Sequence, residues 1–330
     1  MTDLAVEAHQ AVERALGAPV PGAVSEVVPT EWGSITRVRI STMEAARTLG
    51  KAVGTYITIE APDLPVHDAT LNEEVSQALS GELISMIRSN FGGADFREVA
   101  DFVTLICGLG NWNATPDAVG PMVAEKVLVT RHIHSMTPPE KRGGLRSVAA
   151  ISPGVLGITG IETAEIIAGV VERVKPNLII VVDALAARSV SRLGTTVQLG
   201  DSGIQPGSGV GNRRFGITRQ TMGVPVIAIG VPTVVHAMTI VSDALDIMGH
   251  AGSPQPQKPA VGPMGAAVEP GAPPLPNAVA ASLQPYLGSL IVTPKEVDVL
   301  SEELAEVVAG GINLALHPAI DEDEIYQYLQ

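Results

Sequence analysis

The sequence contains few aromatic residues, only 3% of 330, although 45% of its residues are hydrophobic. A buried core must therefore be built mainly from Val, Ile, Leu, Ala and Met. This composition is typical of parallel sheets, whose strands are buried on both faces and consist of continuous aliphatic runs. A chain of this length forms one large domain or two small ones. Because no internal repeat divides it, we expect a single domain over residues 1–330.

Cys107 is the only cysteine, which excludes an intrachain disulfide. It lies in an aliphatic run, where cysteine behaves as a small buried hydrophobic residue, and a lone cysteine fits a cytoplasmic location. The N-terminal residues MTDLAVEAHQ lack the basic and apolar segments of a signal peptide. No apolar run reaches the roughly 18 residues of a membrane span. We therefore expect a cytoplasmic protein with no membrane partner.

Positive charge is also scarce, since 21 Lys and Arg residues stand against 35 Asp and Glu residues and give a net charge of −14. Domains that bind nucleic acid usually carry a basic patch or stripe. The adjacent residues Arg213 and Arg214 are the nearest approach to one, and they are too few. The sequence therefore predicts no direct nucleic-acid partner.

What the sequence does contain is a series of short aliphatic runs separated by helical patterns. Strands that alternate with helices predict an α/β fold, with a mostly parallel twisted sheet and helices on both faces. Right-handed crossovers then place the loops that follow the parallel strands at one edge of the sheet. The predicted strands are residues 103–107, 148–151, 178–182 and 226–229, and the predicted helices are residues 118–133, 162–174, 234–248 and 296–316.

The remaining segments are predicted to elaborate this fold. Residues 35–40 and 56–60 alternate apolar and polar side chains, which indicates two half-buried strands in a small N-terminal antiparallel element. Residues 71–90 carry apolar side chains at helical spacing. We interpret residues 1–35 as an irregular N-terminal arm, and the Pro-, Gly- and Ala-rich residues 251–280 as a surface insertion.

Two carboxylates follow the predicted strands at the edge where an open parallel sheet binds its ligands. Asp183 comes directly after an entirely apolar strand, where a charge is costly unless it has a partner or a function. Asp117 lies in the loop after the first parallel strand, at the start of a predicted helix. Two neighbouring carboxyl groups separate their pKa values, so that one stays ionised and the other keeps a proton. Such a pair supplies a general base for water and a general acid for a leaving amine.

Each carboxylate also has a simpler interpretation. Thr115, Pro116 and Asp117 form an ordinary N-terminal signal of a helix, with a capping side chain and a proline in the first turn. Asp183 is equally placed to cap the helix after its strand. Neither motif alone establishes a catalytic site.

Two glycine-rich loops leave a nucleotide- or anion-binding module as an alternative function. Gly108 and Gly110 follow a strand, but Asn113 replaces the third glycine of a dinucleotide fingerprint. The loop of Gly207, Ser208 and Gly209 is not followed by the Lys-Ser/Thr of a phosphate-binding loop. Its backbone can still form a nest for an anion or for a substrate carbonyl.

Other catalytic side chains are sparse. His132 and His134 are two residues apart on a predicted helix and so face different directions. His236 follows the last strand and, with the two aspartates, forms a weak candidate metal set. Metal-assisted hydrolysis is therefore a second alternative. Ser208 is a loose nucleophile candidate, because no G-x-S-x-G motif is present.

Several long motifs resemble the germination protease family of spore-forming bacteria. The matching segments cover nearly the whole chain outside residues 251–280, and motifs of this length in this order are highly specific. They are TDLAVEA at 2–8, GLGNWNATPDAVGP at 108–121, PGVLGITGIET at 153–163, VVDALAARSV at 181–190, DSGIQPGSGVGNRR at 201–214, GVPVIAIGVPTVV at 223–235 and IVTPKEVD at 291–298.

The resemblance implies an atypical aspartic-type endopeptidase, with Asp117 and Asp183 as the catalytic aspartates and no cofactor. It implies small acid-soluble spore proteins as substrates, degraded at germination in the spore core, and a homotetramer made as a zymogen that cuts itself between Asp3 and Leu4. The fold of the family is similar to that of hydrogenase maturation endopeptidases, in which acidic residues and a histidine bind nickel.

From the residues and this resemblance together we predict the groups that contact the substrate. Amides near Gly108, Gly110 and Asn111, and those of the loop with Gly207, Ser208 and Gly209, are expected to bind substrate backbone or a developing oxyanion. Arg188 is expected to offset the charge of the carboxylate pair or to bind an acidic substrate side chain.

This chain departs from the family pattern at three places. It begins at Met1, so only three residues precede the expected cut before Leu4. Gln205 stands where the family has His, and His236 stands where the family has Asp. Because both catalytic aspartates are retained, we expect these changes to affect regulation and the surroundings of the site rather than the reaction.

Overall fold

Strands and helices alternate along most of the chain in the computed structural model. The structure describes residues 2–66, 68–99, 101–138, 142, 145–204, 215–241, 244, 282–283, 285–288 and 290–318. The described helices are α1 (Ala5–Leu16), α2 (Met43–Leu49), α3 (Ala69–Asn90), α4 (Val119–Lys126), α5 (Arg131–Met136), α6 (Leu156–Thr159), α7 (Thr163–Val174), α8 (Arg219–Met222) and α9 (Val297–Leu316). The described strands are β1 (Ala23–Pro29), β2 (Ser34–Ile40), β3 (Gly54–Glu60), β4 (Val103–Gly108), β5 (Ser147–Ile151), β6 (Leu178–Ala187), β7 (Thr196–Gly200), β8 (Val226–His236) and β9 (Ile291–Val292).

All described strands belong to one mixed sheet in the order β1-β2-β3-β7-β8-β6-β4-β5, with β9 paired to β8. The four strands β5, β4, β6 and β8 are parallel to one another. The strands β1, β2, β3 and β7 form an antiparallel half that joins β8. The predicted α/β class is confirmed, and its antiparallel part is larger than the sequence suggested.

One face of the sheet is covered continuously by α3, α4 and α9. Their apolar side chains form one cluster with the aliphatic residues of seven strands, from Ile35 on β2 to Val148 on β5. This cluster contains most of the buried aliphatic residues of α9, including Val308 and Ile312. The continuous apolar runs of the strands are explained by burial on this face and on the opposite face of the sheet, which is described next.

The opposite face is covered in two separate parts. Helices α7 and α8 cover the parallel half through residues such as Ile167 and Met222. Helices α1 and α2 cover the antiparallel half, where Ala5 and Leu49 pack on β2 and β3. Between these two covers lies a stretch of sheet face over which none of the described helices packs, and this stretch becomes the floor of a cavity described below.

Residues 1–35 do not form the predicted irregular arm. They contain α1 and β1, and α1 buries one side of its first two turns at Ala5, Val6 and His9. Gly17 ends the helix with φ of 65°, a left-handed conformation that glycine adopts without strain. The Pro and Gly residues at 17–22 suggested an irregular segment, but residues 5–16 are rich in the helix formers Ala, Glu, Gln, Arg and Leu.

Several predicted boundaries also differ. Strands β6 and β8 continue past their apolar runs to Ala187 and His236, so Asp183 lies within a strand and not at its end. The single helix predicted at 118–133 is two helices, α4 and α5. Residues 234–236 belong to β8 rather than to a helix. The predicted insertion at 251–280 lies outside the described residues.

The helices at 71–90, 162–174 and 296–316 and the antiparallel strands at 35–40 and 56–60 are confirmed with small shifts of their ends. Cys107 is fully buried on β4, as expected. No helix in the described part of the chain is both long enough and apolar enough to cross a membrane.

Candidate active site

Asp183 lies in the middle of β6, after five residues that are buried completely. Burial among these apolar neighbours, together with the negative charges of Asp117 and Asp3, raises the pKa of Asp183 to about 8, although a hydrogen bond from the Ala184 N–H to Oδ1 (3.0 Å) opposes the shift. At neutral pH this carboxyl group therefore holds a proton. A protonated carboxyl group can donate a hydrogen bond or a proton to a ligand.

Asp117 lies in a 3-10 turn, Thr115–Asp117, between β4 and α4. The turn closes on the end of β4, because the Asn111 N–H donates to the carbonyl oxygen of Asp117 (3.0 Å). Gly110 allows this contact: its φ is 119°, and a Cβ there would lie 1.9 Å from the same oxygen. The turn therefore requires glycine at this position.

The helix that follows the turn lies directly on the strands. A Cβ at Gly120 would be 2.2 Å from the Leu109 carbonyl oxygen and 2.5 Å from that of Val182. A Cβ at Gly108 would be 2.1 Å from the Gly120 carbonyl oxygen. These two glycines thus let the first turn of α4 approach β4 and β6, which brings the turn carrying Asp117 towards Asp183.

The caps of these short helices do not use the aspartate. The residues before the 3-10 turn and before α4 are Ala114 and Ala118, and neither position has a side-chain cap hydrogen bond. Asp117 is therefore not the N-cap residue of α4, although Pro116 does lie in the first turn of the 3-10 helix, as the simpler interpretation of the T-P-D motif predicts.

Both aspartates line one cavity of about 1260 Å³. Its floor is the uncovered stretch of sheet, because Asp183, Gly230 and Gln198 are register partners on β6, β8 and β7 and so share one face. A second row runs through Ala228, Gly200 and Tyr56. The cavity thus reaches from the ends of the parallel strands across to the antiparallel half.

The N-terminal residues lie in this cavity along the extension of β6. The main-chain N–H of Asp3 donates to the Ala186 carbonyl oxygen (2.9 Å), and the Ala186 N–H donates to Oδ2 of Asp3 (3.0 Å). The carbonyl oxygen of Asp3 accepts hydrogen bonds from Nζ of Lys51 (2.8 Å) and Nε2 of Gln198 (3.3 Å). The main chain of this segment is therefore bound in the way that an extended peptide binds to a strand.

The residues after Asp3 fix the segment in place. Leu4 is 0% exposed and packs with Leu185 and Val235 among others. The carboxylate of Glu7 accepts hydrogen bonds from the main-chain N–H groups of Arg188 (2.8 Å) and Ser189 (3.0 Å). The bond between Asp3 and Leu4 is thus held from both sides.

Lys51, a half-buried lysine beside this bond, is a polar group that the sequence did not reveal. Burial lowers the pKa of Lys51, and the charges of Asp3 and Glu7 counteract the shift. Gln198 was missed as well, because it lies within a short apolar strand, T-V-Q-L-G, that gave no functional signal. The available sequence signal was a polar residue inside an apolar strand, and the structure leaves Gln198 only 8% exposed.

The structure brings some of the other predicted residues to the cavity and leaves others outside it. Gly110 lines the cavity, whereas Gly108 packs under α4 and the Asn111 N–H is engaged in the turn. Arg188 contacts Glu7 through its main chain, one residue past β6. Gly207, Ser208 and Gly209, and also Gln205, lie outside the described residues, so their roles stay predictions.

His236 also lines the cavity, at the end of β8. Among the residues that the structure describes, however, no three His, Cys, Asp or Glu side chains are grouped so that they could hold a metal ion. The described donor atoms therefore do not fit the metal set of His236 with the two aspartates.

Comparison with known proteins decides the family. A family model described as germination protease matches residues 6–269 and 275–329. The chain belongs to the germination protease family. A germination protease of Caldanaerobacter subterraneus is 45% identical over 99% of this chain and 97% of its own length. Those of Clostridium tetani and Halalkalibacterium halodurans are 40% and 39% identical over 99% of this chain and over 98% and 96% of their own lengths.

Membership of the germination protease family makes the protein a protease of spore germination. Among solved structures, a [NiFe] hydrogenase maturation protease, HycI, of Thermococcus kodakarensis matches 42% of this chain and 78% of its own, with 21% identity and a TM-score of 0.28.

Proposed function

We propose that this germination protease is an endopeptidase that degrades small acid-soluble spore proteins with Asp117 and Asp183 as a general base and a general acid. The observation that carries the proposal is the placement of the two carboxyl groups in one cavity, where the charge of Asp117 and burial together keep Asp183 protonated. Carboxyl groups in opposite protonation states supply the two proton transfers of amide hydrolysis.

In this mechanism Asp117 accepts a proton from a water molecule, and the water oxygen forms a bond with the carbonyl carbon of the substrate. The C–N bond then breaks as Asp183 donates its proton to the leaving nitrogen. The products are a carboxylic acid and an amine. Transfer of the proton from Asp117 to the ionised Asp183 then returns the pair to its starting state. Each carboxyl group therefore has one role, and the pKa of Asp183 makes it the acid.

We also propose that Asp3–Leu4 is the bond at which the chain cuts itself. Support comes from the binding of its carbonyl oxygen by Lys51 and Gln198 in the same cavity as the aspartates. Donors directed at a carbonyl oxygen stabilise the negative charge that develops there in the transition state. Gly110 and the loop of Gly207, Ser208 and Gly209 remain our candidates for further substrate contacts, and a homotetramer in the spore core remains the expected assembly.

Metal-assisted hydrolysis has less support, because the described donor atoms form no three-ligand cluster. We therefore assign no step to a metal ion. Dialysis against a chelator, followed by metal analysis and an assay of the same sample, tests this point. Full activity at less than one metal ion per ten chains is expected, and activity that requires added metal would contradict the proposed mechanism.

The proposal is tested by separate Asp117→Asn and Asp183→Asn variants, assayed on a small acid-soluble spore protein. Each is expected to lose about a hundred-fold to ten-thousand-fold in kcat while it keeps its circular dichroism spectrum, because general acid–base groups contribute about 10² to 10⁴. Asp201→Asn is a matched control in the same cavity, since its Oδ1 still accepts the hydrogen bond from the Thr55 N–H (2.7 Å). Near-normal cleavage by either catalytic variant rules the mechanism out.

A further inference from the structure

The pairing of β6 with β8 is interrupted next to the active site. Leu185 is the register partner of Pro232, but the next residue, Ala186, is the partner of Val234. Thr233 is therefore an extra residue on β8, which makes this position a β-bulge. Bulges turn a side chain in a new direction and are frequent beside active sites.

The bulge aims the Thr233 hydroxyl at the turn that carries Asp117. Its Oγ1 donates to the carbonyl oxygen of Pro116 over 2.6 Å, and Thr233 is only 4% exposed. The hydrogen bonds of the turn itself join residues 111 to 118 to one another. The threonine hydroxyl instead joins the turn to the sheet, at the peptide group directly before Asp117.

A second threonine supports the first. Strand β9 pairs with β8 just beyond the bulge, at Val235 and His236. The next residue of the chain after β9 is Thr293, and its Oγ1 donates to the Thr233 carbonyl oxygen over 2.8 Å. Two hydroxyl groups therefore connect β9, the bulge and the Asp117 turn in series.

We infer that Thr233 is a positioning residue for Asp117, and that the bulge and Thr293 hold Thr233 in the orientation this requires. The inference rests on the proposed function, since it assumes that the distance between Asp117 and Asp183 matters to the reaction. It assigns a physical role to Thr233 and Thr293, which lie in two conspicuous sequence motifs, GVPVIAIGVPTVV and IVTPKEVD.

The inference predicts more than a loss of rate. The charged groups that act on Asp183 are Asp117, on the turn after β4, and Asp3, on the N-terminal segment. If the turn loosens, the charge of Asp117 acts on Asp183 less strongly and the pKa of Asp183 falls. Asp183 then loses its proton at a lower pH than in the wild type, so the alkaline limb of the pH–kcat profile shifts to lower pH.

The experiment compares Thr233→Val with Thr233→Ser. Valine keeps the shape and removes the hydroxyl, so kcat is expected to fall about ten-fold, the factor that corresponds to one hydrogen bond, with little change in KM and with the alkaline limb at lower pH. Serine keeps the hydroxyl and is expected to restore both kcat and the limb. Thr293→Val is expected to lower kcat and to shift the alkaline limb to lower pH, each by less than Thr233→Val does.

Three outcomes overturn the inference: a Thr233→Val enzyme with the wild-type kcat and pH profile, a reduced kcat with an unmoved alkaline limb, or a serine variant as impaired as the valine variant. If Thr233→Val does not fold, Thr293→Val takes its place, and an unmoved limb there overturns the inference as well. The proposed function fails separately, if Asp117→Asn stays active.

Discussion

The two halves of the sheet differ in what they contribute to the cavity. The parallel half consists of largely buried and mainly aliphatic strands, and it carries Asp183 and the turn with Asp117. The antiparallel half contributes polar groups from β3, β7 and the adjoining loop: Tyr56, Gln198 and Lys51. In the proposed enzyme the apolar half therefore sets the proton chemistry, and the polar half binds the peptide main chain.

The largest expected effect concerns the charge on the parallel half. The folded-state pKa of Asp183 is about 8, above the value of about 3.9 in an unfolded chain. Between these two values the folded state holds a proton that the unfolded state has lost, so the free energy of unfolding falls as pH rises, with a slope of about 1.4 kcal/mol per pH unit from this group.

Asp183→Asn removes this slope. The free energy of unfolding of the variant, relative to that of the wild type, should therefore rise steadily from about pH 4 to about pH 8. Urea unfolding at a series of pH values measures the difference. Parallel curves for the two proteins would show that Asp183 titrates normally, and the distinction between the two halves would then lose its electrostatic basis.

A second test concerns the close packing of the parallel half. Gly120→Ala places a Cβ within 2.7 Å of three main-chain atoms, two of Leu109 directly after β4 and one of Val182 on β6. Such atoms cannot move aside easily, so we expect a loss of about 3 kcal/mol or more in the free energy of unfolding. Gly169→Ala in α7 is the matched control, because a Cβ there meets nothing within 4 Å. It should stabilise the protein by up to about 1 kcal/mol.

The polar half can be tested through Lys51. Lys51→Met keeps the length of the side chain and removes the donor to the Asp3 carbonyl oxygen. We expect self-cleavage at Asp3–Leu4 to slow by about a hundred-fold, the effect of losing one oxyanion donor, and mass spectrometry of the N-terminus over time measures the rate. Lys51→Arg keeps a donor and should be slowed less. Equal rates in all three proteins would remove Lys51 from the mechanism.

The smallest effect is expected at the far edge of the antiparallel half. Val24 and Val27 on β1 are 68% and 61% exposed. Substitution of either by Thr should change the free energy of unfolding by no more than about 0.5 kcal/mol and leave the assay unchanged. A loss of activity there would mean that the two halves are not functionally separate.

The parallel half was also the half that the sequence predicted well. Long aliphatic runs such as Leu178 to Val182 identify strands without ambiguity, and the glycines around Asp117 mark a turn. In the antiparallel half the sequence predicted β2 and β3 but missed β7 and α1, because β7 has only five residues and α1 is followed by a segment rich in Pro and Gly. Such elements owe their structure to tertiary packing more than to local preference.

Of the candidate site, the two aspartates were found from the sequence, since a charge beside an apolar strand is conspicuous. Lys51, Gln198 and Thr233 were not. Their importance depends on which main-chain oxygen each one reaches, and those oxygens belong to residues 48, 195 and 117 positions away in the chain. The spacing of residues along the sequence does not predict such long-range hydrogen bonds.

The cavity floor is made of the strands β3, β7, β8 and β6, which pair with one another in the sheet. Its outline depends on the side chains that line it, and glycine at position 200 leaves space there. The main hydrophobic core lies on the opposite face of the sheet, under α3, α4 and α9. Substitutions on the floor can therefore change which peptides fit without disturbing the layer that keeps the molecule folded. In this architecture, the choice of substrate and the stability of the scaffold can evolve independently.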